Sequence, residues 1–215
     1  MTTEGTKPPA WLSWRTLMWA AVIALSAYYL YRALNFRFFA PDQLGPTLLN
    51  KQIFYIGHLA LALPILLFGP FQFSATLRRA RPQFHRWMGY FYVVGASGAA
   101  LTAIYLGATI EYEGSRLPIV LAASLWLFFT VAAWRCAVRK DFNAHRLFMI
   151  RSYVVSLVLV WLRVLGDLDD FFFFYVNPGD VRDATQEWLS WVGPLLIMEF
   201  ILTWLPLAKG RKPRA

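Results

Sequence analysis

Six stretches of the chain are apolar for long enough to cross a bilayer: roughly 16–34, 52–73, 87–108, 118–137, 147–166 and 188–207. A hydrocarbon core takes about 20 apolar residues in an α-helix. Between these stretches lie residues that end helices: Pro41, Gly45 and Pro46, then Pro82, Gly114, and the pair Pro178 and Gly179. No alternation of apolar and polar residues suited to a barrel runs through the chain. Lipid offers free backbone groups no partner, so helices are predicted. The expected architecture is an all-α membrane protein, a six-span helical bundle. It comprises an N-terminal segment 1–15, a transmembrane domain 16–207 and a basic tail 208–215.

Composition strengthens this picture. The 215 residues are 58% hydrophobic and only 15% charged, against about 25% charged in ordinary globular domains. A soluble domain of this size has no interior large enough to hide that much apolar surface. The net charge of +9 would suit nucleic acid, but the Lys and Arg lie in short clusters beside apolar runs. The expected partner is therefore the lipid bilayer and not nucleic acid. The single cysteine, Cys136, excludes an internal disulfide and a Cys-based metal cluster. Lys7 and Arg15 precede an apolar run from Thr16 to Leu34 with no small-residue cleavage site, which reads as a retained first span.

Charge also predicts orientation. With the N-terminus inside, 15 of the 21 Lys and Arg fall on the cytoplasmic side, among them Arg78, Arg79, Arg81, Arg86, Arg135, Arg139, Arg146 and Arg151. The other six are Arg32, Arg37, Lys51, Arg116, Arg163 and Arg182. The bias recurs at every inner connection, as the positive-inside rule requires, and places both termini in the cytoplasm of a bacterial inner-membrane protein. The longest outer connection, "GDLDDFFFFYVNPGDVRDATQEW", has two readings. Phe171 to Tyr175 form an interfacial aromatic belt, or Asp167, Asp169 and Asp170 form a lid or cation-binding loop.

Helical phase turns these residues into faces. At about 100° per residue, positions 7, 11 and 18 apart point in nearly the same direction. From His145 these offsets reach Ser152, Ser156 and Arg163, a polar stripe along the fifth span that belongs toward the bundle and not toward lipid. From His85 the third span carries Gly89, Tyr92, Ala96, Ala99, Ala103 and Gly107, small residues that let a neighbouring helix approach or leave room for a bound group. Glu199 falls near the middle of the sixth span, His58 in the outer half of the second, and Arg163 in the outer part of the fifth. These three form a candidate intramembrane polar set, either a structural network between helices or a proton or substrate pathway.

Two stretches agree residue by residue: "HRWMGYFYVV" from His85 and "HRLFMIRSYVV" from His145, with Arg79/Arg139 and Gln83/Asn143 ahead of them. Both spans run from inside to outside, so the two histidines are expected at one depth near the cytoplasmic face. Two imidazoles on neighbouring helices at one level suit the two axial positions of a haem iron, haem b being the possible cofactor. Arg86 and Arg146 would then lie where the propionates emerge. The competing reading is that His-Arg at a helix start anchors the helix to lipid phosphate. A counterpart of His58 in a strict repeat would be Pro118, which cannot ligate, so at most one bis-histidine site is available. No phosphate-binding Gly loop, HExxH or G-x-S-x-G elbow is present, and no catalytic residue is assigned.

The run "GHLALALPILLFGPFQF", the basic residues after it, "HRWMGYFYV", "HRLFMIRSYVVSLVLVWLR" and a Glu in the last span together resemble an uncharacterised bacterial membrane family, domain of unknown function 2306. The resemblance covers roughly residues 50–205 and implies a multi-pass membrane protein without naming a substrate. His58, Gly69, Pro70, Gln72, His85, Arg86, His145, Arg146, Arg151, Arg163 and Glu199 occupy its motif positions. The "HRW.G" start is also similar, more distantly, to the "HSW.G" helix start of cytochrome b561 proteins, from which this chain departs by lacking a fourth histidine. The functional expectations are a haem-binding or redox-associated protein through His85 and His145, a small-molecule or proton-coupled carrier through His58, Arg163 and Glu199, or a ligand-free membrane scaffold.

Overall fold

A computed structural model of the chain describes residues 14–39, 50–176 and 179–210. The expected N-terminal segment up to residue 13, the connection holding Pro41, Gly45 and Pro46, Pro178, and the tail from residue 211 lie outside the described residues.

The described residues are helical throughout, in the order α1 (Trp14–Phe39), α2 (Gln52–Gln72), α3 (Ala75–Ala80), α4 (Pro82–Ala108), α5 (Glu113–Val138), α6 (Phe142–Ser156), α7 (Val158–Asp167), α8 (Asp169–Phe172), α9 (Gly179–Glu199), a π-helical turn (Phe200–Trp204) and α10 (Leu205–Ala208). Five of these stretches are long and apolar enough to cross a membrane: Gln52–Gln72, Pro82–Ala108, Glu113–Val138, Phe142–Asp167 and Val181–Ala208. They coincide with the second to sixth expected spans. The first expected span falls in α1, a helix of 26 residues that is not among the five.

Local chemistry sets the ends. The Ser74 hydroxyl accepts from the Leu77 amide and starts α3, and the Asp141 carboxylate accepts from the Ala144 amide and starts α6. Pro82 opens α4, where its missing N–H costs nothing. The turn from α5 into α6 is three residues long, and Lys140 closes it in the left-handed region with φ 61°. The fifth expected span is two helices, divided at Leu157. Just before the division the Ser156 hydroxyl donates to the Tyr153 carbonyl at 2.7 Å, the back-bonding that bends helices.

Helix α4 packs between α2 and α5, and α5 packs between α4 and α6, so the four surround one axis. Helix α9 lies against α5, α6 and α7, and α1 lies peripherally on α2 and α7. Small residues make this close packing possible. Ala96, Ala99 and Ala100 on α4 and Ala133 on α5 are fully buried. A Cβ on Gly107 would meet Ile119 at 2.5 Å, and one on Gly95 would meet Ile65 at 3.1 Å. The small-residue face of the third span is thus a packing face. The outward surface carries Ile53, Trp87, Val94, Phe128 and Leu207, all well exposed, a distribution that suits lipid and not water.

A proline organises the seam between α2 and α6. Pro70 has no N–H to give the Leu66 carbonyl one turn earlier in α2. The Tyr153 hydroxyl of α6 donates to that carbonyl instead, at 3.0 Å. Its ring lies over Gly69, where a Cβ would stand 2.3 Å from it. The Gly-Pro pair therefore creates both the space for the tyrosine and the acceptor that holds it.

Candidate functional site

Two histidines begin the parallel helices α4 and α6 at one end of the bundle. His145 follows the Asp141 cap, and its Nδ1 lies 2.9 Å from the Ala133 carbonyl of α5. A carbonyl only accepts, so Nδ1 carries the proton and the neutral ring keeps Nε2 as a free lone pair. Metal-ligating imidazoles are commonly fixed in this way. His85 is half-buried, its Nδ1 is buried, and it has no hydrogen-bond partner among the described residues. Arg86 and Arg146, the neighbours of the histidines, are exposed.

One face further along the same helices is a buried chain of hydroxyls. Tyr92 on α4 lies 3.0 Å from Ser152 on α6, and Ser152 lies 2.8 Å from Thr130 on α5. Thr130 in turn donates to the Trp126 carbonyl at 2.8 Å. Counting protons gives the direction. Each hydroxyl has one proton, and the carbonyl can only accept. The Thr130 proton is committed to Trp126, so Ser152 donates to Thr130 and Tyr92 donates to Ser152. Ser156, also on the predicted polar stripe, is buried and bonded to its own helix. The phase reading of Ser152 and Ser156 as inward-facing agrees with this placement.

The remaining polar residues separate into other groups. Glu199 accepts from Arg151 Nε at 2.5 Å and from Arg151 Nη2 at 3.0 Å, and Thr203 donates to it at 2.8 Å. The side chains of this pair are 16% and 20% exposed. Glu199 is the last residue before the π-helical turn that presents Thr203. His58 Nδ1 donates instead to the Ala99 carbonyl at 2.9 Å. Arg163 is exposed, and its charge acts on Asp167. Hence His58, Arg163 and Glu199 are not joined by any hydrogen bond or ion pair among the described residues; the partner of Glu199 is Arg151. That partner was missed because Arg151 was counted as an inner-loop cation. At 1.5 Å per residue it lies about 9 Å beyond His145 along the helix, well inside the rim.

At the other end of the bundle Asp167 and Asp169 are paired. Asp167 accepts from Arg32 at 2.8 Å and from Tyr29 at 2.9 Å, which ties α1 to α7. Asp169 accepts from Arg182 at 2.6 Å and Gln186 at 2.5 Å. Phe171, Phe174 and Tyr175 are exposed, while Phe173 is buried. Among the described residues no three His, Cys, Asp or Glu side chains stand where they could hold a metal ion.

That donor count bears on cofactors. A metal held by protein alone takes three or four ligands, whereas a haem iron takes its axial ligands only. His85 and His145 supply two imidazoles, one fixed through Nδ1 and one with a buried nitrogen that has no partner among the described residues. Neither histidine lines either of two cavities among the described residues. One, of about 250 Å³, lies along Trp134, Arg135, Val138 and Arg139. The other, of about 10 Å³, lies between α2 and α4 beside Gln72 and Tyr92.

The fold and its apolar surface define a multi-pass helical membrane protein. Residues 55–202 match the family described as predicted membrane protein, domain of unknown function 2306, and the chain belongs to that family. No curated protein and no solved structure matches the chain.

Proposed function

We propose that this protein is a redox-associated membrane protein of the bacterial inner membrane that holds a haem-type group between His85 and His145, with six spans and both termini cytoplasmic. The observation that carries the reading is the hydrogen bond from His145 Nδ1 to the Ala133 carbonyl, which leaves Nε2 free, at the level of a second imidazole with a buried unpartnered nitrogen. Haem would supply one-electron chemistry. His85 and His145 would hold the group, with the Ala133 carbonyl fixing one ring and the exposed guanidiniums of Arg86 and Arg146 at the rim for its carboxylates. The concentration of Lys and Arg at the inner connections supports the orientation. The test is the absorption spectrum of detergent-purified protein from haem-replete cells. A Soret band lost in both His85→Ala and His145→Ala is expected; a folded, colourless protein overturns the reading.

A carrier is the second reading, favoured by one observation: the ion pair between Arg151 and Glu199 sits within spans, where an ionisable pair is a functional candidate, and beside a π-turn, a feature frequent at functional sites. It predicts that Glu199→Gln changes the pH dependence of ligand uptake in proteoliposomes while the fold persists. Loss of stability alone would leave the pair a structural one.

A further inference from the structure

Two complementary groups face one small cavity at the seam of α2 and α4. Gln72, the last residue of α2, is 7% exposed, and its Nε2 is buried without a hydrogen-bond partner among the described residues. Across the seam, Tyr92 has committed its only proton to Ser152 by the proton count above, so its oxygen retains capacity to accept. Both residues line the cavity of about 10 Å³. The rest of the lining is apolar and includes Ile65, Phe68 and Met88. A void must hold roughly 10–15 Å³ to admit a water, which also needs two or more polar partners. The cleft is partly open, and its polar lining residues are Gln72 and Tyr92.

We propose that this cavity is a binding site for a single internal water, which accepts from Gln72 Nε2 and donates to Tyr92 Oη. The water makes the chain continuous across four helices: Gln72 on α2, the water, Tyr92 on α4, Ser152 on α6, Thr130 on α5, and the Trp126 carbonyl. Every proton in it points the same way, and it ends on a backbone acceptor that cannot pass a proton on. The chain is therefore a lock between helices and not a proton path through the bundle centre. An amide donor buried without an acceptor forfeits its hydration, which is the driving force for holding the water.

The proposal does not depend on the cofactor reading and is tested separately, on the full chain in lipid nanodiscs. A map at water-resolving resolution is expected to show one peak within hydrogen-bonding distance of Gln72 Nε2 and Tyr92 Oη, and to lose it in Gln72→Met. A direct bond from Gln72 to a protein acceptor, no peak, or a peak that persists in Gln72→Met overturns it. Should Gln72→Met fail to fold, Tyr92→Phe serves, since it keeps the ring and removes the hydroxyl that would hold the water, together with its bond to Ser152. Radiolytic hydroxyl labelling gives an independent readout. Tyr92, 2% exposed, is expected to be modified because bound water lies beside it; an unmodified Tyr92 with modified Tyr90 and Trp87 overturns the site.

Discussion

Tyr92 and Ser152 are bonded across the bundle at 3.0 Å and stand 60 residues apart in the chain, the same separation as His85 and His145. In each helix the hydroxyl lies seven positions after the histidine. The two His-Arg stretches therefore run in register, and the bond between the core hydroxyls joins α4 to α6. Ser152 links both other hydroxyls, so removing it strands two groups, while Tyr92→Phe strands one. Leaving one buried partner unmatched costs about 1–3 kcal/mol. Tyr92→Phe is expected to destabilise the protein by about 1 kcal/mol and Ser152→Ala by more, with the double variant less than additive. Chemical unfolding in mixed micelles measures all three; full additivity would mean the hydroxyls act separately.

The tyrosine over the Gly-Pro pair gives a sharper test. Tyr153→Phe removes the donor to the Leu66 carbonyl and is expected to cost about 1–2 kcal/mol for an unmatched buried acceptor. Pro70→Ala restores an amide that can bond the same carbonyl within α2. In that background Tyr153→Phe is expected to cost much less. An equal cost in both backgrounds would mean the hydroxyl bond contributes little. Gly69→Ala drives a methyl into the ring and is expected to cost about 1–3 kcal/mol by overpacking.

Five of the six expected spans are legible because bilayer thickness imposes a length that few other constraints mimic. The level and register of His85 and His145 were legible for a related reason, since parallel helices with matching starts place matching residues at one depth. Phase alone identified Ser152 and Ser156 as inward-facing. It did not identify Tyr92 as the partner of Ser152, because the small residues around it read as a packing face, and that face is a packing face as well. The partner of Glu199 was illegible for a different reason. Depth along separate helices says which residues are level, but not which helices are neighbours. Arg163 and Arg151 lie on the same span, and only the placement of the last helix selects Arg151. The break at Leu157 and the π-turn after Glu199 have no periodic signature, since the apolar pattern runs through both.

Lys140 offers a prediction about the turn between α5 and α6. Its φ of 61° is a conformation that side chains with a Cβ adopt at a cost. The side chain is exposed, so its removal disturbs no packing. Lys140→Gly is expected to stabilise the protein by about 0.5–1 kcal/mol, after allowance for the flexibility glycine adds to the unfolded chain. Lys140→Val, with a branched Cβ, is expected to destabilise it. The same unfolding assay compares the two, and a neutral or destabilising glycine would show that the turn relaxes to another conformation without strain.

The ion pair of Arg151 and Glu199 joins α6 to the final helix through two hydrogen bonds, with Thr203 filling a further acceptor position. Breaking one side of such a pair leaves a charge without its partner, at about 3–5 kcal/mol when burial is complete. Here each side chain retains some exposure, so about 2 kcal/mol is the appropriate expectation for Arg151→Leu or Glu199→Leu. Replacing both with Leu removes both charges together and is expected to recover most of that loss, as apolar substitutes for buried pairs do. Thr203→Val, which loses only the supporting hydroxyl, is expected to cost about 1 kcal/mol. Thermal unfolding of the four variants decides between a pair and two independent charges. Recovery in the double variant fits the pair, and a double variant as unstable as the sum of the singles would mean Arg151 and Glu199 serve separate partners.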